Sequence, residues 1–286
     1  MCSLSRLFTL SGVATKPSLT DRFFRAYAKT RLRGFIRLWR ISGRDFHDTL
    51  RVTTSKRSVF DLSPWSYIDA IILREGYYES EVLDAITSEL GSGILWDVGA
   101  HFGLHGITAK NMLPASHVVC FEPSIEMLGR LSRNRTLNQA EVDIVSLALS
   151  NRDGFQTFYV GPPGNPGMST LSPWSEVSYE RNYVVASARG DDLVAKGVMP
   201  SPTVIKLDVE GHEFQALEGM AGILRSQTLK VVVFEDSRAE DTPAKALLNA
   251  AGFSCSPLSR LEASNHGLDN FVARRGSSPL GRSKQS

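Results

Sequence analysis

Residues 94–103, Ile-Leu-Trp-Asp-Val-Gly-Ala-His-Phe-Gly, constrain the fold of this chain more than any other stretch. An apolar run ends at Asp97, and Gly99 and Gly103 follow within six residues. Residues 104–112 come next and can form a helix. This order predicts a buried strand, a tight glycine turn and a helix start. Glycine allows the sharp turn, and the helix N-terminus offers free N–H groups to a ligand.

The acid Glu122 points to the kind of ligand that this turn would hold. It lies 25 residues after Asp97, at the end of a second apolar run, where an acid suits a ribose diol. The dinucleotide pattern needs a third glycine, which is missing here, and a carboxylate at Asp97 would repel a pyrophosphate. S-adenosylmethionine (SAM) carries an amino acid, a sulfonium and a ribose but no phosphate. The turn therefore favours SAM over a dinucleotide, and a glycine turn without a ligand is the alternative.

A second strong signal follows residue 202. Residues 203–207 read as a buried strand, closed by Asp208 and the sequence Val-Glu-Gly-His-Glu. In an open parallel sheet, ligands bind at the carboxyl ends of the strands. We therefore expect Asp97, Glu122 and Asp208 to share one edge of the sheet. The alternative is that Asp208 and Glu210 only cap the helix that follows.

The alternation of strands and helices predicts the fold and its boundaries. We expect a doubly wound α/β fold with a mostly parallel seven-stranded sheet, a closing antiparallel strand pair and an N-terminal helical extension. The predicted regions are a basic extension (1–44), lead-in strands and helices (45–90), a SAM-binding domain (91–273) and a disordered tail (274–286). A Gly/Pro-rich loop in residues 161–174 is expected to roof the acceptor site, where the molecule that reacts with SAM would bind.

Charge is unevenly distributed along the chain. Residues 1–44 hold ten Lys or Arg and one acid, whereas residues 45–273 hold 18 bases and 29 acids, a net charge of −11. An acidic body is a poor electrostatic partner for nucleic acid. The basic, aromatic helix predicted within residues 20–44 either contacts an anionic membrane surface or packs on the body.

Cysteine usage and hydropathy bear on the compartment. The three cysteines, Cys2, Cys120 and Cys255, have no metal-site spacing and argue for a reducing compartment. No apolar stretch approaches the length of a membrane span, and the first 13 residues make a poor signal peptide. We therefore predict a cytoplasmic protein, with peripheral membrane contact through residues 20–44 left open.

Four motifs together resemble one known family. They are Asp-Val-Gly-Ala-His-Phe-Gly (97–103), Phe-Glu-Pro (121–123), Ala-Leu-Ser with a following Asp-Gly (148–154) and Ile-Lys-Leu-Asp-Val-Glu-Gly-His-Glu (205–213). The chain is similar in these motifs to the FkbM family of SAM-dependent methyltransferases, which have a class I, Rossmann-like fold. The lead-in Tyr78-Glu79 and the late Asn270 also fit, so the resemblance covers about residues 75–273. It departs from the family pattern in having His101 where Asn is usual and Gly106 where Ser or Thr is frequent.

The resemblance implies methyl transfer from SAM to an oxygen, often a hydroxyl of a sugar, a glycolipid or a polyketide-like product. The expected partner is thus a small-molecule, glycan or glycolipid acceptor. The cofactor-binding residues that we predict are Asp97, Gly99, His101, Gly103, Glu122 and Ser150. The candidate catalytic residues are Asp208, Glu210 and His212. Asp208 or Glu210 is the preferred base or acceptor clamp, although His212 alone has an ordinary pKa near neutrality.

Three other interpretations stay open at the level of sequence. His101 and His105 have the spacing of a metal pair on a helix, but without a third ligand we assign no metal. A protein or RNA methyltransferase would use the same SAM site. A non-catalytic SAM-binding module held at membranes by the basic helix is the remaining alternative.

Overall fold

The computed structural model describes residues 49–162, 164–258 and 268–276. A hairpin of β1 (Leu50–Thr53) and β2 (Val59–Leu62) comes first, followed by helices α1 (Tyr67–Glu75) and α2 (Ser80–Leu90). Gly76 ends α1 at a φ of 95°, and its N–H group donates to the carbonyl of Ile72. A left-handed residue at this place is a common way to stop a helix.

The central sheet has seven strands. In chain order its elements are β3 (Ile94–Val98), α3 (Leu104–Met112), β4 (His117–Phe121), α4 (Ile125–Asn138), β5 (Val142–Val145), β9 (Val204–Leu207), β10 (Val231–Ser237), α8 (Pro243–Ala250), β11 (Phe253–Pro257) and β12 (Leu268–Arg275). The strand order is β11-β12-β10-β9-β3-β4-β5. β5, β4, β3, β9 and β10 pair in parallel, while β12 pairs antiparallel with both β10 and β11. The predicted doubly wound sheet and its closing antiparallel pair are confirmed.

The strand order reverses between β3 and β9. The chain runs from β3 outward through β4 and β5, and it later returns to place β9 on the other side of β3. The register pairs Asp97 with Lys206, so the residues after both strands emerge side by side. A crevice at such a switch point is where open α/β sheets bind ligands.

A smaller sheet and three short helices lie between β5 and β10 in the chain. They are β6 (Ala148–Leu149), β7 (Gly154–Val160), β8 (Arg181–Ala188), α5 (Gly190–Ala195), α6 (Glu213–Glu218) and α7 (Ala221–Arg225). β8 is the middle strand, parallel to β6 and antiparallel to β7. The sequence pattern of residues 148–153 predicts a loop, whereas the structure has the two-residue strand β6 there.

Apolar side chains fill both faces of the central sheet. Alternate residues of β3 belong to different clusters: Leu95 packs towards α2 and α3, and Trp96 packs with the side that holds α6 and α8. Both side chains are fully buried. Burying a large apolar side chain contributes about 1.5–3 kcal/mol. The continuous apolar runs of the parallel strands reflect this two-sided burial.

The structure changes two details of the predicted elements. The single helix expected after Asp208 is divided into α6 and α7 at Gly219 and Met220, where Met220 has the non-helical φ of −116°. Gly219 packs so closely that a Cβ would lie 1.9 Å from the carbonyl oxygen of Ser150. β12 extends to Arg275, two residues into the predicted tail. The Arg275 guanidinium donates to the carbonyls of Leu229, Ala251 and Leu224, which holds this end of the strand in place.

The predicted N-terminal helical extension lies outside the described residues, as does the tail after residue 276. Among the helices that the structure describes, none has the length and apolar character that crossing a membrane requires.

Candidate active site

The glycine turn after β3 forms one wall of the crevice. Gly99 has a φ of 74°, and a Cβ there would lie 1.8 Å from the carbonyl oxygen of Asp208. The N–H groups of Gly99 and Ala100 both donate to the carbonyl of Phe121, at 3.0 Å. Gly103, with a φ of 88°, precedes the first residue of α3. The turn therefore joins the ends of β3, β4 and β9 through backbone contacts that admit no side chain at residue 99.

Asp97 is buried, with 1% of its surface exposed. Its Oδ2 accepts the N–H group of Gly106 at 2.9 Å, and its Oδ1 lies 3.4 Å from Lys206 Nζ. A Cβ on Gly106 would lie 2.7 Å from Oδ2, so the glycine lets α3 approach this carboxylate. The Asp97 carboxylate thus supports the turn from behind.

Lys206 links the two strand ends. Its Nζ donates to the carbonyl of Gly99 at 2.8 Å and lies 3.2 Å from Asp208 Oδ2. Burial alone would lower the pKa of Lys206, but the carboxylates of Asp208 and Asp97 outweigh burial and raise it. Lys206 therefore stays charged and acts as a partner to acids, as the sequence predicts.

Glu122 occupies the end of β4, as the sequence predicts. One carboxylate oxygen accepts the N–H group of His101 and the other accepts that of Ser124, both at 2.7 Å. Burial raises the pKa of Glu122 to about 7, against the opposing effect of these two amides. Each carboxylate oxygen can accept a further hydrogen bond, which suits the hydroxyls of a ribose.

His101 lies on the same wall with an unusual backbone. Its φ is 52°, uncommon for a residue with a side chain. Its ring packs against Phe102, with centroids 5.0 Å apart, and its buried Nε2 has no hydrogen-bond partner among the described residues. Burial lowers the pKa of His101 to about 3, so the imidazole is neutral. A buried nitrogen without a protein partner fits a site that receives a polar ligand.

His212 connects three segments of the chain. Its Nε2 lies 3.0 Å from the hydroxyl of Ser150, directly after β6, and its Nδ1 lies 2.8 Å from the hydroxyl of Ser172. Burial lowers the pKa of His212 to about 4. The neutral imidazole therefore contacts a hydroxyl with each nitrogen. Ser150 itself is fully buried.

Three carboxyl groups gather where β9 and β10 end. Ligand oxygens of Asp208, Glu210 and Glu235 lie within 4.8 Å of one another. Burial and then the nearby Asp208 raise the pKa of Glu210 to about 9 and that of Glu235 to about 10. The group is close enough to hold a cation, but acidic clusters without an ion are common. Among the described residues, His101 and His105 belong to no such group, and His105 Nε2 lies 3.8 Å from Glu79 Oε2.

Glu235 is an addition to the predicted site, and Glu79, which the sequence predicts could reach the ligand, lies near it. Glu79 accepts a hydrogen bond from Asn270 at 3.0 Å, and Asn270 stands opposite Glu235 in the β10–β12 ladder. The signal for Glu235 is its place after the apolar run 231–234, the same signal that identifies Asp97 and Asp208. Glu213 has a supporting role, since its carboxylate accepts the N–H groups of Val209 and Gly211.

The predicted residues meet in one cleft with about 700 Å³ of empty space, part of it open to solvent. Glu122 follows β4, whereas Asp208, Glu210 and His212 follow β9, so they line the cleft on opposite sides of β3, whose turn contributes Gly99 and His101. The loop of residues 164–174, called the roof loop here, covers the cleft through Pro166, Gly167, Ser169 and Leu171. Asp97, Gly103 and Ser150 lie behind the cleft walls.

Comparison with known proteins identifies the family. The family model described as the methyltransferase FkbM domain matches residues 97–271, more than half of the chain. The chain belongs to the FkbM methyltransferase family. This assignment confirms the family resemblance, the methyltransferase class and SAM as the cofactor.

Two curated proteins share part of the FkbM domain. The chain is 32% identical over 139 residues to the hexuronic acid methyltransferase AglP of Haloferax volcanii, which covers 49% of this chain and 54% of AglP. It is 25% identical over 178 residues to the AMB antimetabolite synthetase AmbE of Pseudomonas aeruginosa, which covers 58% of this chain and 8% of AmbE. The chain thus spans about half the length of AglP and a small part of AmbE.

Solved structures resemble the FkbM domain more distantly. The FkbM methyltransferase of Methylobacillus flagellatus has 14% identity and a TM-score of 0.42, covering 73% of this chain and 54% of its own. A SAM-dependent methyltransferase of Agrobacterium tumefaciens has 11% identity and a TM-score of 0.46, covering 81% and 71% respectively. The fold assignment rests on the strand order and pairing.

Proposed function

We propose that this protein transfers the methyl group of SAM to a hydroxyl oxygen of a sugar, a glycolipid or a related secondary metabolite. The observation that carries the proposal is one cleft that is lined both by Asp208 and Glu210 and by Gly99, His101 and Glu122. The similarity to AglP, by name a hexuronic acid methyltransferase, supports a sugar-type acceptor.

The cofactor would occupy the end of the cleft at β3 and β4. Glu122 would accept the ribose hydroxyls, because each of its oxygens has a lone pair beyond its backbone hydrogen bond. The unpartnered Nε2 of His101 would bond to a polar cofactor group. The amino-acid end would lie near Asp97 and Gly99. Gly103 and Ser150 would shape the walls from behind.

The acceptor would occupy the end at β9 and β10. When bound, SAM supplies an electrophilic methyl group carried on a sulfonium. An acceptor hydroxyl must lose its proton as its oxygen is methylated, which calls for a base beside that oxygen. Asp208, half-exposed and paired with Lys206 at 3.2 Å, would accept this proton. Glu210, with a pKa of about 9, would keep its own proton at neutral pH and donate a hydrogen bond to the acceptor.

The direct experiment is incubation of the full chain with methyl-labelled SAM and separate fractions of glycans, glycolipids, protein and RNA. We expect label in a glycan or glycolipid fraction as an alkali-stable methyl ether, identified by mass. Label in protein or RNA would overturn the proposed acceptor class. SAM binding without transfer to any fraction would favour the non-catalytic alternative, and preferential binding of NAD would reject the cofactor assignment.

We also propose that residues 20–44, outside the described part of the chain, give the protein peripheral contact with an anionic membrane. Six of the residues from 20 to 37 are Arg or Lys, and aromatic residues are interspersed with them. Basic amphipathic segments of this kind bind anionic lipid surfaces. Co-sedimentation with phosphatidylserine vesicles should be lost when residues 1–44 are deleted, and equal binding by both forms would reject the proposal.

A further inference from the structure

The roof loop makes specific contacts with the turn that follows β9. The hydroxyl of Thr170 donates to the carbonyl of Val209 at 3.4 Å, and Ser172 contacts His212. The ring of Trp174 covers Gly211 so closely that a Cβ there would lie 2.9 Å from the indole. The cover of the cleft is therefore fastened to the same turn that carries Asp208.

The roof-loop residues that make these contacts differ in whether another part of the protein also holds them. Thr170 is 1% exposed and also pairs with Tyr159 through two backbone hydrogen bonds, so β7 holds it independently of the turn. The other end of the loop is held where the Gly164 carbonyl accepts the N–H group of Tyr67. Beyond Thr170, the roof loop makes a polar contact with the turn through the Ser172–His212 pair, at 2.8 Å. Leu171, which lines the cleft, lies between Thr170, which β7 holds, and Ser172, which contacts His212.

The hydrogen-bonding capacity of His212 is taken up by the two serines. A neutral imidazole has one N–H donor and one acceptor nitrogen. One nitrogen faces the buried Ser150 and the other faces Ser172, so whichever nitrogen has the lone pair already faces a hydroxyl. A histidine in this position connects the segment after β6, the turn after β9 and the roof.

We propose that His212 is a positioning residue that latches Ser172 of the roof loop to the turn beside Asp208 and thereby slows release of the cofactor from the cleft. The proposal rests on the proposed function, in which SAM binds in the cleft that the roof loop lines together with Gly99 and Glu122. A closed roof keeps water from the reacting groups and holds the cofactor in place. His212 acts through Ser172 and Leu171 without taking up a proton.

The test uses the full chain, with SAM as the probe. Dissociation of SAM is followed by stopped-flow displacement, and exchange of the backbone amides in residues 171–176 is followed by mass spectrometry. The variants are Ser172→Ala, His212→Ala and His212→Asn, in which the amide occupies the place of Nδ1 and faces Ser172. Ser175→Ala is the matched control, because its exposed hydroxyl, directly after the roof loop, donates to the neighbouring Glu176 and to no other group that the structure describes.

We expect Ser172→Ala and His212→Ala to speed SAM release by about two- to tenfold, the effect of losing one neutral hydrogen bond. Amide exchange in residues 171–176 should rise in both variants and stay unchanged in Ser175→Ala. His212→Asn, which cannot act as a base, should restore slow release to within about twofold of the parent, since its amide again bonds to the hydroxyl.

Unchanged SAM release and exchange in Ser172→Ala would overturn the latch, even if His212→Ala destabilises the protein. Equal effects of His212→Asn and His212→Ala would also contradict it, because the hydrogen bond would not be what matters. Failure of the parent chain to bind SAM at all would instead reject the proposed function, so the two failures are distinguishable.

Discussion

The carboxyl groups at the two ends of the cleft differ in the hydrogen bonds that they accept from the protein. At the β4 end, Glu122 accepts two backbone N–H groups at 2.7 Å. At the β9 and β10 end, Glu210 and Glu235 accept no hydrogen bond from the described residues, and burial and then the nearby Asp208 carboxylate raise both pKa values. A carboxylate fixed by the backbone is suited to hold a constant ligand, the cofactor. Carboxyl groups without protein donors are suited to a ligand that brings its own hydroxyls.

Among the changes that test this comparison, Asp208→Asn is expected to have the largest effect. It keeps the size of the side chain and removes its charge. If Asp208 takes the acceptor proton, turnover should fall by about 10²–10⁴-fold while SAM affinity changes little. Steady-state kinetics with methyl-labelled SAM and calorimetric titration of SAM measure the two quantities, with the exposed Asp241→Asn as control. Normal turnover would remove Asp208 from the mechanism, and equal losses in both quantities would place it at the cofactor end.

Glu122→Ala should do the reverse at the other end of the cleft. SAM affinity should weaken by about 1–3 kcal/mol, because charge-assisted hydrogen bonds to the ribose are lost. Calorimetry measures the change, with Glu141→Ala, exposed and remote from the cleft, as control. Unchanged affinity would mean that the ribose binds elsewhere and that the contrast between the two ends is misassigned.

Measuring stability over a range of pH tests whether the carboxylate of Glu235 lacks hydrogen-bond donors in the folded protein. Its pKa of about 10 lies above the unfolded value of about 4.3, so the folded state binds more protons than the unfolded state between these values. The contribution to stability is complete below the unfolded pKa and declines as the pH rises towards about 10. Glu235→Gln removes this decline.

We therefore expect the melting temperature of Glu235→Gln to exceed that of the parent by about 2–4 °C at pH 9, equivalent to ~1 kcal/mol in a chain of this size. At pH 5 the two should agree, and Glu240→Gln, which alters an exposed acid, should match the parent at both values. Differential scanning calorimetry without divalent ions makes the comparison. If the melting temperatures of the parent and Glu235→Gln changed with pH in the same way, the carboxylate of Glu235 would already have hydrogen-bond partners in the folded protein.

The smallest effect is expected from removing the basic N-terminal extension. A chain shortened to begin at residue 45 retains the whole cleft, so its SAM affinity should stay within about twofold of the parent, less than the loss of one hydrogen bond. Calorimetric titration of both forms decides the point. Insoluble protein or a clear loss of affinity would mean that the extension belongs to the folded body.

The sheet and its ligand edge could be predicted from the sequence because their signals are local. The apolar runs before Asp97, Glu122 and Asp208 each mark a strand, and a parallel sheet brings the strand ends together. The sequence pattern predicts one helix where the structure has α6 and α7, and it does not predict the contact between Gly219 and the distant Ser150. Local propensity contains no information about such an approach.

The site could be predicted at its cofactor end more fully than at its acceptor end. The spacing of Gly99 and Glu122 in the sequence predicts that both belong to the site. The contact of Ser172 with His212 cannot be predicted in this way, because it joins residues 40 positions apart through a loop. The sequence predicts that Asp97 binds the cofactor, and it does not predict that the carboxylate accepts the N–H group of Gly106 and lies 3.4 Å from Lys206 Nζ. Orientation of a side chain at a strand end follows from tertiary packing, which the sequence pattern does not specify.

The division of the cleft into a cofactor end and an acceptor end is tested most directly by a crystal structure of the protein with S-adenosylhomocysteine. The account predicts ribose hydroxyls within hydrogen-bond distance of Glu122, a polar ligand atom on His101 Nε2, and the sulfur facing Asp208 with space between them for an acceptor. A ligand whose ribose lies on Asp208 or Glu210, or whose sulfur faces away from them, would contradict it.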